Sequence, residues 1–182
     1  MNPRGMDPLL VASKVVTLIL QGAVGLGAAA LAVSLPIVTV FKGDIVRGFA
    51  DGAALPVEDL PLAPTVALLV LLFLVLAAMF VFFGKLRQII DTVGEGDPFV
   101  PANAERLSRM AWLMLGVQVL LWPAAYCASV LADWANKVDG VDLHVQGDGF
   151  DLTGILILLL LFVLARVFRV GAAMREDLEG TV

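Results

Sequence analysis

Apolar residues along this chain gather in four long blocks separated by short polar interruptions, rather than spreading at helical or strand spacing. The blocks cover about residues 15–40, 65–85, 110–132 and 152–170. Each is near or above the roughly 20 residues that a helix needs to cross a ~30 Å hydrocarbon core. The second block carries no charge from Thr65 to Phe83 and consists almost wholly of Leu, Val, Ala and Phe. Such side chains favour insertion by roughly 0.3–0.6 kcal/mol each near the bilayer centre. The fourth block is purely apolar only from Leu152 to Ala165. At about 1.5 Å per residue that stretch reaches only ~21 Å. The span therefore runs on to Val170, with Arg166 and Arg169 lifting their charged ends into the headgroups.

The pattern predicts an all-α membrane protein, a single integral domain over residues 1–182 with four transmembrane helices. Arg4 and Lys14 precede the first block as they would in a secretory leader. That block exceeds a leader's apolar region, so the expectation is a retained span. Pro36 and Pro123 fall inside the first and third blocks, and Pro123 predicts a kink because it removes a helical hydrogen bond.

The interruptions are more informative than the blocks. The loop 86–109 joins blocks two and three. Leu86, Ile89, Ile90 and Val93 keep helical spacing, which extends the second helix about two turns past the membrane. Gly94 and Gly96 then end it, Asp97-Pro98 signals a turn, Pro101 suits a helix start, and Asn103 or a neighbour is the candidate cap. The loop 41–64 is rich in Gly, Asp and Pro and reads as irregular. In the loop 133–151, Val141, Leu143 and Val145 alternate with Asp142, His144 and Gln146 before a Gly-Asp-Gly turn. That period of two predicts a short β-hairpin-like loop between the third and fourth helices. Its acids lack the ligand order of an EF-hand, and a solvated acidic hairpin is the simpler reading.

Charge orients the blocks. Nine basic residues (Arg4, Lys14, Lys85, Arg87, Arg106, Arg109, Arg166, Arg169 and Arg175) flank one side, and three (Lys42, Arg47 and Lys137) the other. Cytoplasmic segments carry the excess of Lys and Arg, so both termini and the loop 86–109 are expected inside. The net charge of −5 belongs to the outer loops, which hold nine of the 17 acids. The inner side, with eight acids against nine bases, is close to neutral.

Composition agrees with a bilayer. The chain is 60% hydrophobic and 16% charged, where a soluble domain carries about a quarter of its residues as charges. One cysteine, Cys127, excludes an internal disulfide, and with His144 as the lone histidine a soft-ligand metal cluster has too few members. Cys127 in a span and His144 in an outer loop do not make a nucleophile pair. Neither glycine-rich stretch, GEG or GAVGLG, has the Lys-Ser/Thr ending of a phosphate loop. No enzyme and no cofactor are expected.

The run "LRQIIDTVGEGDPFVPANAERLSRMAWLML" and the ending "RVFRVGAAMREDLEGTV" resemble the domain-of-unknown-function 2975 family. The resemblance covers nearly the whole chain. It implies a multi-pass bacterial inner-membrane protein without an established activity. It also implies a link to small helix-turn-helix DNA-binding regulators, which are encoded beside some members.

Two uses of the inner loop stay open. Phe99, between Pro98 and Pro101, either tucks under the inner helix ends or anchors a cytoplasmic partner, with Arg106 and Arg109 as a polar rim. The candidate docking residues are Asp97, Pro98, Phe99, Asn103, Arg106 and Arg109, with the C-terminal tail beside them. The favoured expectation is a regulatory or interaction protein that lies in the lipid bilayer and contacts no nucleic acid itself. Its partner would be a small cytoplasmic DNA-binding regulator. The alternative is an oligomeric channel or small-solute transporter subunit. Gly22, Gly25 and Gly27, with Gln21 and Gln118, are the candidate helix-packing positions, within the chain or in a homo-oligomer.

Overall fold

The computed structural model describes residues 8–41, 43–45, 47, 60–136 and 152–179. Regular structure among them is helical, with no strand. The long helices among the described residues follow in order: α1 (Pro8–Val40), α2 (Leu62–Gly94), α3 (Pro101–Ala135) and α4 (Leu152–Glu179). All four are long and apolar enough to cross a membrane. Even α4, with 28 residues, would reach about 42 Å at 1.5 Å per residue.

The helices overrun the apolar blocks at both kinds of end. α1 begins at Pro8 rather than near residue 15, with proline in the first turn, where its missing N–H is no loss. α2 runs to Gly94, which includes the two-turn extension, and α3 already starts at Pro101. The loop of about 24 residues between the second and third spans shrinks to 95–100 outside the helices. α3 also takes in Asp133–Ala135, which the hydropathy pattern had placed in the following loop. A helix propagates through polar residues once its first turn is formed, so hydropathy marks the membrane better than it marks helix ends. The alternating residues 141–146 of the expected hairpin lie outside the described residues.

Large apolar side chains face outward along all four helices, among them Leu9 (73% exposed), Leu26 (75%) and Trp122 (63%). A water-soluble domain does not leave that much apolar surface bare, whereas hydrocarbon solvates it freely.

The chain forms two compact units. The first comprises residues 1–25, 78–117 and 151–182. Its core joins Ile89 of α2, Leu107, Met110 and Ala111 of α3, and Leu161 and Ala165 of α4. Phe82, Leu86, Val93 and Phe168 pack against that core. Ile89 is where the helical spacing of the α2 extension leads, so the face predicted from Leu86, Ile89 and Val93 is the buried one. Trp112 is exposed and meets Phe162 edge-on, 5.7 Å between ring centroids.

The second unit comprises Leu26–Ala77 and Gln118–Phe150. The apolar side chains buried in it, among the described residues, are small: Ala124, Cys127 and Ala132. A Cβ added at Gly27 would come within 3.1 Å of Leu76 Cδ1, so that glycine admits a close neighbour from α2.

Candidate functional site

The α2–α3 elbow is built by one turn of backbone and one buried amide. Gly96 takes φ 87°, a left-handed conformation that suits glycine. Its N–H bonds to the carbonyl of Val93 and the Asp97 N–H bonds back to the carbonyl of Thr92, both at 3.1 Å. That pair of bonds is the Schellman closure of a helix C-terminus. It makes Gly96 the residue that stops α2, with Gly94 still helical. Pro98 follows, where the helix cannot continue. Pro101 opens α3, and the Asn103 N–H donates to the carbonyl of Val100 at 2.9 Å.

Asn103 is therefore not the cap that the sequence suggested. It sits in the first turn of α3, fully buried, and its side chain works inward. Its Nδ2 donates to Thr92 Oγ1 at 2.8 Å and to the Pro98 carbonyl at 2.9 Å. Its Oδ1 accepts from Arg106 at 2.7 Å. One amide thus ties together the end of α2, the turn and the start of α3. Arg106 also donates to the Gln88 carbonyl at 3.3 Å, so its guanidinium belongs to the same network. Arg109 pairs with Glu105 one turn earlier on α3, and both remain largely exposed.

The elbow is held against α4 by two further contacts. Asp97 accepts from Arg175 in an ion pair. The Phe99 ring lies 5.4 Å from that of Phe168, tilted by 43°. Phe99 also covers Gly171: a Cβ there would stand 2.7 Å from the Phe99 ring, closer than a side chain tolerates. The ring keeps 41% of its surface exposed. Asp91, on the last turns of α2, accepts from Lys14 of α1 at 2.7 Å. The start of α1, the elbow and the end of α4 consequently meet at one end of the first unit.

Residues 51–182 match the model of a family described as a protein of unknown function, DUF2975. The chain belongs to that family. No curated protein and no solved structure matches it. The matched range in this DUF2975 protein holds the whole elbow and the α4 tail, while the Lys14 contact comes from the segment that precedes it.

Of the helix-packing candidates, Gly25 and Gly27 meet α2 within the chain. A Cβ at Gly25 would come 3.2 Å from the Phe80 ring, and Gly27 faces Leu76. Gly22 has nothing within 4 Å of such an atom. Gln21 Nε2 lies 3.4 Å from the Phe80 carbonyl and also beside Gly84, whose missing side chain leaves room for it. Gln118 differs: its Nε2 is buried and has no acceptor among the described residues.

Sequence reasoning missed Thr92, Phe168, Gly171 and Arg175 as parts of the elbow. Nothing local in the sequence marks a glycine that an aromatic ring from 72 positions earlier will cover. The near-neutral balance on the elbow's side of the spans was the available signal for the ion pairs, since eight acids among nine bases invite pairing. Among the described residues no three of His, Cys, Asp or Glu gather as they would around a metal ion. The arrangement brings together a half-exposed aromatic ring, paired charges and a hydrogen-bonded turn.

Proposed function

We propose that this chain is a non-enzymatic, multi-pass protein of the bacterial inner membrane that docks a small cytoplasmic partner on its elbow and α4 tail. The partner class is a small helix-turn-helix DNA-binding regulator, held at the membrane or released from it, with no nucleic acid touched by this chain. The observation that carries the reading is the joining of two distant segments into one preorganised surface: Asp97 to Arg175, and Phe99 to Phe168 and Gly171. Preorganisation removes ordering entropy that binding would otherwise have to offset. The half-exposed Phe99 ring supplies the type of aromatic anchor on which interfaces depend. The excess of Lys and Arg on the elbow's side of the four spans supports a cytoplasmic location.

The site set narrows in this reading. Asn103 and Arg106 shape the surface from beneath, and Phe99 and Arg109 face outward. The test is binding of a regulator encoded beside the gene to the full chain in detergent. Phe99→Ala and, separately, Arg109→Gln should each weaken it, Phe99→Ala by about tenfold or more. Arg109→Gln leaves the Phe99 packing intact and so separates lost contact from a disturbed elbow. Undiminished binding by both variants would remove the elbow from the interface.

A second reading, an oligomeric channel or small-solute transporter subunit, draws on Gln118. A buried amide donor without an acceptor inside a span is costly, and a second copy or a solute would satisfy it. Liposome flux that disappears in Gln118→Leu would favour this reading over docking.

A further inference from the structure

Where α3 begins, its first turns and the last turns of α4 leave a cleft of about 290 Å³. Its walls are small side chains: Ala104 and Ala172 are buried, and Ala173 lines the side. Three charged residues stand around it, namely Arg169, Glu105 and Glu176. Arg169 and Glu176 make no ion pair or hydrogen bond among the described residues. Glu105 gives one carboxylate oxygen, Oε1, to Arg109, which leaves the other for a ligand.

The depth of these charges follows from helix geometry. Residues Leu152–Ala165 are uncharged, and Arg169 lies about 25 Å along α4 from Leu152, near the edge of a ~30 Å core. Glu176 is on the same face of α4, about 10 Å further toward water. On α3 the uncharged stretch begins after Arg109, which puts Glu105 about one turn outside it. The cleft therefore opens at headgroup level, with Arg169 and Glu105 at similar depth, each about one turn beyond the uncharged stretch, and Glu176 nearest the water.

We propose that this cleft binds the headgroup of a zwitterionic aminophospholipid, its phosphate on Arg169 and its primary ammonium between Glu105 and Glu176. The order of charges selects the class. In such a lipid the phosphate is joined to the acyl-bearing glycerol and the ammonium lies beyond it, which is the order the cleft complements. An anionic headgroup ending in an alcohol would face two carboxylates without a cation for them. A quaternary ammonium carries no N–H and forgoes the charge-assisted hydrogen bonds that a primary ammonium donates to carboxylates. The alanines matter because a larger side chain at Ala173 would fill the space the headgroup needs. This site goes beyond partner docking and does not require it.

The experiment uses the full chain in detergent, incubated with phosphatidylethanolamine, phosphatidylcholine or phosphatidylglycerol of matched acyl chains, with retained lipid counted by native mass spectrometry. Phosphatidylethanolamine should be retained about fivefold or more over the other two. Glu105→Gln combined with Glu176→Gln should bring it down to the level of phosphatidylcholine. Arg169→Gln should lower both zwitterionic lipids together. Ala173→Leu keeps every charge and should still reduce retention, so the test survives if a charge variant fails to fold. Equal retention of the three lipids, or an ethanolamine preference that persists in all the folded variants, overturns the proposal. So does complete displacement by an equimolar amount of soluble phosphorylethanolamine, which would make the free headgroup compound the ligand.

Discussion

Asn103 and Gln118 are both amides on α3, one in each compact unit, and they meet opposite fates. Asn103 is fully buried, with donor and acceptor both satisfied across the elbow. The Nε2 of Gln118 is buried with no acceptor among the described residues. The difference tracks the surroundings. The first unit gathers turn carbonyls, hydroxyls and charges from four helices around its apolar core, so a buried amide finds directional partners. Among the described residues, the second unit buries the apolar side chains of alanine and cysteine, which bring helices close. Specific side-chain geometry is therefore written at the elbow, and close approach of small residues marks the described part of the second unit.

The most damaging way to break this contrast is Asn103→Leu. It takes one hydrogen-bond partner from each of Thr92, the Pro98 carbonyl and Arg106 at once, and about 2–4 kcal/mol of stability should be lost. Thermal unfolding in detergent, with hydrogen exchange across residues 92–110, would show the elbow opening. A loss under ~1 kcal/mol would mean that the amide does not hold it. Gly96→Val comes next, because a β-branched residue at φ 87° is strained. About 1–2 kcal/mol should be lost, with faster exchange at the Asp97 amide that closes the turn. Gln118→Leu should act in the opposite direction and raise stability by up to ~1 kcal/mol, since it removes an unpaired buried donor. A marked fall in the same melting measurement would show that Gln118 has a partner in the assembled protein. The smallest effect belongs to Lys14→Gln. The Lys14–Asp91 pair is 57% and 38% exposed, so the loss should be about 0.5 kcal/mol or less and should shrink as salt rises.

Particular residues show what could be read beforehand. The α2 extension was legible because Leu86, Ile89 and Val93 keep one face, and that face is buried. The turn was legible from Gly96 and Asp97-Pro98, although only the backbone distinguishes Gly96, at positive φ, from the helical Gly94. Asn103 stands where a cap is expected, and its side chain bonds inward instead. A polar residue near a helix start reads as a cap, while its partners Thr92 and Pro98 come from the preceding helix and turn. Arg106 and Arg109 looked equivalent in sequence, yet one braces the elbow and the other faces outward with Glu105.

Hydropathy alone determined the four membrane-length helices, because insertion into hydrocarbon depends on the summed transfer of consecutive side chains and hardly on their neighbours in space. Only the tertiary structure decided that Phe99 lies over Gly171, that Asp97 holds Arg175, and that Arg169 shares a cleft with Glu105 and Glu176. Phe99 with Gly171, Asp97 with Arg175, and Arg169 with Glu105 are each joined across more than 60 positions. They depend on which helix faces meet, and that is a property of shape which no local run of residues carries.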